Sequence, residues 1–234
     1  MNNHYTPLRI AREIGDKRGE GNALGNLGNA YYSLGDYGKA IDFHQQSLTI
    51  AREIGDKQGE GGALGNLGDT QVKLEQYAEG LQNLQLAHVI YEQIGARSTA
   101  ARVLAMQGSA YCKQENLTEA LNHLQAALEQ AIAVKDYALE GECYGVLGET
   151  HLKLQQYPES LQFLQKALSI AQVIGAQGQE AEILKILAEL HQALGKMETA
   201  RQYCQQALSL ATALGIPLQS ECAALLESLD KPQS

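Results

Sequence analysis

The chain repeats itself every forty residues. The segment from Leu8 to Ala30, LRIAREIGDKRGEGNALGNLGNA, returns from Leu48 as LTIAREIGDKQGEGGALGNLGDT, with five substitutions in twenty-three positions. Copies at such a period mark small structural units that stack on their neighbours, because one unit alone cannot hide its apolar face from water. Fainter copies keep the register. Glycine recurs at 15, 55, 95, 175 and 215, and one small residue recurs as Gly28, Gly68, Gly108, Gly148 and Ala188.

One period reads as two helices. Leu24, Leu27, Gly28, Tyr31 and Leu34 follow the spacing of one helix face between Gly21 and Leu34, which predicts helix A. After a Gly35-Asp36 turn, Tyr37, Ala40, Ile41, His44, Leu48, Ala51 and Ile54 trace a second stripe. Gly55 then closes helix B in a left-handed conformation. Full repeats are expected at 21–60, 61–100, 101–140, 141–180 and 181–220. Residues 7–14, with Thr6 as cap and Pro7 in the first turn, read as the second helix of a half-repeat over 7–20. The chain therefore starts mid-repeat, as a fragment would, or as a face that pairs with another chain would. At the other end Leu218, Cys222, Leu225 and Leu229 predict a capping helix over 217–229. Glycine inside a helix costs about 1 kcal/mol relative to Ala. Its recurrence at 28, 68, 108 and 148 therefore predicts close helix approach, against small residues at Ala40, Gly80, Ala120, Ser160 and Ala200.

Composition agrees with an all-helical reading and narrows the function classes. Only 6% of residues are aromatic and Trp is absent, while Ala, Leu, Gln and Glu, which keep rotamer freedom in helices, dominate. Lys and Arg total 18 against 27 acids, so a net charge of -9 repels nucleic acid and anionic lipid. Cys112, Cys143, Cys204 and Cys222 lack Cys-x-x-Cys spacing and read as free thiols of a reducing cytoplasm. The opening MNNHYTPLRI is not a secretory signal, and no apolar run reaches the roughly 20 residues that span a bilayer.

The pattern Leu24, Leu27-Gly28, Tyr31, Ala40 and Ser47 resembles the tetratricopeptide repeat family over nearly the whole chain. The forty-residue period and the phrases GNLGNAYYSLGDYGKAI and TIAREIGDKQGE look most like its LGN/Pins-like subclass. The family's proline at the repeat end is absent, and Gly55, Gly95, Gly175 and Gly215 stand there instead. The resemblance implies an all-α fold, an α-solenoid in which helical hairpins wind a right-handed superhelix. It comprises about five full repeats, the leading half-repeat and the C-terminal capping helix, as a single array over residues 1–234. It also implies a concave groove, lined by helix A, that binds a peptide segment of a partner protein.

Carried over position by position, the groove residues are Asn22, Asn29, Tyr32, Asn66, Asp69, Lys73, Arg102, Lys113, Glu142, Glu149, Lys153, Glu182 and Glu189. Val72, Cys112, Lys185 and Gln192 stand at related positions. Asn29 and Asn66 carry amides that both donate and accept, which suits a peptide backbone or terminal carboxylate. Arg102 stands where chaperone-binding relatives place a cation, but Gly25 and Met106 occupy their other basic positions, so a carboxylate clamp is incomplete. Gly25, Gly65 and Gly145 leave bare backbone on the expected groove floor, as a site for a ligand main chain or as a trace of duplication. Asp69 with Lys73 and Glu149 with Lys153 form i, i+4 pairs. Glu142, Glu149, Glu182 and Glu189 favour a ligand with basic residues. His151 and His191 share the packed position of Tyr31 and Tyr111, which argues against a metal. Asn116-Leu117-Thr118 matches a glycosylation triplet without a secretory context. Neither a cofactor motif nor a nucleophile arrangement is present. The function expected is a non-catalytic protein-interaction module, with no nucleic-acid or membrane partner. The alternatives are a ligand- or peptide-sensing regulatory segment of a larger signalling protein, and a self-assembling scaffold that forms a homo-oligomer through the half-repeat.

Overall fold

The computed structural model describes residues 5–230, which form twelve helices and, among those residues, no strand. They fall into two compact units, one running to Gln114 and the other starting at Glu115. The first holds α1 (Thr6–Ile14), α2 (Lys17–Ser33), α3 (Tyr37–Glu53), α4 (Lys57–Lys73), α5 (Tyr77–Gln93) and α6 (Arg97–Lys113). The second holds α7 (Leu117–Val134), α8 (Tyr137–Lys153), α9 (Tyr157–Ile174), α10 (Gln177–Ala193), α11 (Met197–Leu214) and α12 (Leu218–Asp230). Among the described residues no helix is long and apolar enough to cross a membrane.

Local chemistry sets the helix ends. The carboxylates of Asp16, Asp36, Asp56 and Asp136 accept hydrogen bonds from the backbone N–H three residues on, at 2.9, 3.2, 3.1 and 3.0 Å. Each satisfies an N–H that the first turn leaves without a partner. A left-handed residue ends the helix before each turn: Gly15, Gly35, Gly55, Gly95, Gly175, Gly195 and Gly215 do so, and so do Glu75, Glu115, Lys135 and Gln155. These caps correct the expected boundaries. Helix A starts at Lys17 and Lys57, four residues before Gly21 and Gly61, because Asp16 and Asp56 cap it. The segment 7–20 is accordingly split between α1 and α2. Thr6 lies inside α1, whose N-cap is Tyr5 with no side-chain bond. The final helix runs one residue later than expected at each end.

Within each unit every helix packs on the next, as in an α-solenoid of stacked hairpins. Second-neighbour contacts join α2 to α4 and α4 to α6 in the first unit, and α8 to α10 and α10 to α12 in the second. No such contact joins α3 to α5 or α9 to α11. The A helices therefore lie closer together than the B helices, so each unit curves toward its A layer. On this pattern α12 is a further A helix. Fully buried leucines, among them Leu24, Leu64, Leu84, Leu124, Leu164 and Leu187, fill the space between layers.

Candidate functional site: the inner face of the A helices

The A helices carry two sets of glycines that meet opposite surroundings. A Cβ on Gly68 would lie 2.7 Å from Leu84 Cγ and 2.8 Å from the Gly80 carbonyl oxygen. A Cβ on Gly148 would lie 2.5 Å from Leu164 Cγ, and one on Gly28 would run into the His44 imidazole. These glycines allow the close approach expected of them. One turn earlier, nothing lies within 4 Å of a Cβ built on Gly65. Gly25 and Gly145 are nearly as open, with Ser47 Oγ at 3.5 Å and Ile183 Cγ1 at 3.7 Å. Packing inside the chain does not require glycine at these three positions.

In the first unit Asn22, Asn29 and Lys73 are exposed, while Tyr32, Asn66, Asp69, Arg102 and Lys113 are half-buried. Ser33 and Thr70 donate their hydroxyls to the backbone carbonyls of Asn29 and Asn66, at 3.0 and 2.6 Å, bonds that leave the two amide groups unused. The twelfth helix A position departs from the expectation of an open face. Val72 is buried against Gly80, Cys112 is buried, and Tyr32 sets its ring edge-on against Tyr37 with centroids 5.5 Å apart. Side chains there point between helices because position twelve falls four residues beyond the packed eighth position, on the same stripe.

In the second unit Lys153 pairs with Glu149 at 3.3 Å. Lys185 bridges Glu189 at 3.3 Å and Glu221 of α12 at 2.8 Å. Burial works against its charge, but the two carboxylates outweigh burial and hold the ammonium above its ordinary range. The acidic face is thus partly neutralised from within. Glu142 is half-buried and Glu182 exposed. Glu221 was not foreseen, because 217–229 read only as a cap, yet it lies forty residues after Ala181 and joins the same layer.

The histidines serve packing. His151 Nδ1–H donates to Gln156 Oε1 at 2.6 Å and the ring stacks on Phe163 at 5.1 Å, and His191 stacks on Tyr203 at 5.3 Å. The same pair of positions stacks Tyr31 on Phe43 at 5.4 Å. His44 is buried where other B helices place Leu84, Leu124 and Leu164, and burial pushes its imidazole down to about 4, with Asp69 acting weakly the other way. The four cysteines are free and buried. Burial pushes the Cys204 thiol up to about 11, away from the reactive thiolate.

A family model described as tetratricopeptide repeat matches residues 5–53 and 99–172, and a second of the same description matches 183–218. Among curated proteins none matches the sequence. Several solved structures share the fold. BtubC (BKLC) from P. vanneervenii superposes with a TM-score of 0.72 at 16% identity, over 92% of this chain and 90% of that one. A thermophilic TPR protein in Thermus thermophilus, TTC0263, gives 0.68 at 20% identity, over 89% of this chain and 98% of that one. A Rap protein complexed with Competence and Sporulation Factor gives 0.76 at 17% identity, over 91% of this chain and 64% of that protein. At such identities the likeness is one of fold.

Proposed function

Because this chain belongs to the tetratricopeptide repeat family, whose fold is generally a non-catalytic interaction module, we propose that it binds a peptide segment of a partner protein on the inner face of its A helices. The observation that carries this reading is the contrast within α4. Its packed glycine is crowded by the next helix, whereas a Cβ on its inner-face glycine, Gly65, would meet nothing within 4 Å although the residue is buried. Asn22, Asn29, Asn66, Asp69, Lys73, Arg102 and Lys113 supply polar contacts in the first unit. Glu142, Glu149, Lys153, Glu182 and Glu189 supply them in the second and favour a ligand with basic residues, with Tyr32 bordering the face. The forty-residue period of the hairpins, starting at 17, 57, 97, 137 and 177, supports the LGN/Pins-like subclass. The same register runs unbroken past residue 114, which supports a single array over 1–234. Buried free thiols fit a cytoplasmic setting.

A second reading has a specific support. The Rap protein of similar fold is seen complexed with a factor, which favours a sensing segment that responds to a bound peptide. Pairing with a second copy through α1 draws on another contrast: Ile10 is 45% exposed, whereas its duplicate Ile50 is 7% exposed.

Affinity capture from the source cytosol tests the main reading, with the intact chain beside an Asn22, Asn29, Asn66, Arg102→Ala variant of equal helicity. Partners lost from the variant support inner-face binding. Equal capture by both moves the interface elsewhere.

A further inference from the structure

One surface occurs twice in the first unit, covered in one copy and open in the other. The run from Ile10 to Lys17, IAREIGDK, recurs unchanged from Ile50 to Lys57. In the second copy α2 lies over it. A Cβ on Gly21 would stand 3.3 Å from Ile50 Cγ2, so glycine there lets α2 settle on the buried isoleucine. Three residues earlier in the same helix, Arg18 Nε reaches the Asp56 carboxylate at 3.2 Å. In the first copy no helix among the described residues takes the part of α2. Ile10 is exposed, and Ile14 is 71% exposed against 39% for Ile54. Among the described residues no ion pair forms on Asp16, whose carboxylate accepts from the Gly19 N–H. Pro7, Ile10, Ile14 and Asp16 line an open groove of about 490 Å³ beside the first turn of α2.

The covered copy shows what the open one accepts. Identical residues in the same helical register make the same demands: the isoleucines lose contact with water under a helix, and the aspartate gains a cation. A helix meets both when it carries an arginine and, three residues on, a glycine, because residues at that spacing share one edge. Two differences weaken the open copy. The nine residues of α1 stand where α3 has seventeen. Pro7 also replaces Ser47, whose hydroxyl donates to the Gly21 carbonyl at 2.9 Å in the covered copy. The open copy therefore offers less area and one hydrogen bond fewer, which suits a partner that comes and goes.

We propose that the groove on α1 is a second docking surface, which takes one helix of a partner protein by an Arg-x-x-Gly edge. The glycine seats on Ile10 and the arginine pairs with Asp16, as Gly21 and Arg18 do on Ile50 and Asp56. This surface lies on α1 and the first turn of α2, apart from the polar positions of the inner face, and it stands whether or not that face binds a peptide. Its selectivity is steric at Ile10, where a larger side chain would hold the helix away, and electrostatic at Asp16, where an acidic residue would be repelled.

The test uses the full chain and a fluorescein-labelled peptide of the α2 sequence, residues 17–33. The peptide keeps Arg18 and Gly21 and carries Gly19→Ala, Gly25→Ala and Gly28→Ala to hold it helical. Fluorescence polarisation is expected to show saturable binding to the natural chain. Ile10→Glu changes an exposed side chain, so it is expected to leave the melting temperature unchanged while weakening binding about tenfold. Asp16→Asn keeps a good helix cap and is expected to weaken binding about threefold. Against a peptide that also carries Arg18→Ala, Asp16→Asn should make no difference, which ties the loss to that pair. An Asn66, Arg102→Ala variant should bind the peptide as the natural chain does. Absence of saturable binding, or equal binding by the natural chain and Ile10→Glu, overturns the proposal. Sedimentation that shows the chain pairing with itself through Ile10, in a pair the peptide fails to displace, also overturns it and gives the groove to a second copy.

Discussion

Gly65 and Gly68 stand three residues apart in one helix and answer to opposite demands. Gly68 is glycine because the next helix leaves no room, with Leu84 and the Gly80 carbonyl both inside 3 Å of a would-be Cβ. Gly65 is buried too, yet a Cβ there would meet nothing within 4 Å. The repeats agree with this division: the packed position reads Gly28, Gly68, Gly108, Gly148 and Ala188, always small, while the roomier one reads Gly25, Gly65, Ala105, Gly145 and Lys185. In a layered array, then, the face of a glycine decides whether it serves the fold or leaves space for something else. The fold constrains the first set and tolerates change in the second.

The contrast is broken most severely at the packed position. Gly68→Val is expected to destabilise the chain by about 3 kcal/mol or more, since backbone on the far side cannot give way as a flexible side chain can. Thermal or urea unfolding measures this, and a loss below about 1 kcal/mol would mean that the hairpin relaxes easily. His44, which lies over Gly28 on that packed face, gives the next largest effect. Its imidazole is held near 4 by burial, against about 6.5 in the unfolded chain. At neutral pH both states are uncharged and the site contributes its full stability. As pH falls below about 6.5 the unfolded chain takes up the proton first, so stability declines down to about 4 and by about 3 kcal/mol in all. His44→Leu, which restores the residue of Leu84 and Leu164, should remove most of that slope in urea titrations at stepped pH. His191, also lowered by burial, leaves a smaller slope of the same sign.

These cases also mark how far the chain could be read without coordinates. Periodicity located every hairpin, because each unit must bury a stripe at 3.6-residue spacing. The stacked roles of His151 and His191 followed from their sharing a position with Tyr31. The apolar pattern puts the helix starts four residues late, since the glycines at 19, 21, 59 and 61 disguise a turn that Asp16 and Asp56 hold by capping. Repeat position alone puts Val72 and Cys112 on the inner face, because it does not show how far a helix rotates toward its partner. The openness of Gly65 depends on atoms that are not there, and no local pattern carries that information. Tyr91 did leave a signal: five alanines and one tyrosine at a single position of the repeat. What it touches, Gly61 and the position of a Gly62 Cβ, emerges only once α5 is laid against α4.

The comparison is sharpened by two small gains of stability. At the end of α4, Glu75 takes the left-handed conformation with φ of 61°, where Gly35 and Gly195 stand in other repeats. Glu75→Gly relieves that strain and is expected to add about 1 kcal/mol, read as a rise in melting temperature. Gly65→Ala is the finer test. With nothing within 4 Å of its position, the added methyl meets no neighbour, and the variant gains about 0.8 kcal/mol from helix propensity alone. The same substitution at Gly68 should be destabilising, so the pair of variants differs in sign within one turn of one helix. A loss at both positions would show that Gly65 is also hemmed in, and the reasoning from its empty surroundings to a bound peptide would fail with it.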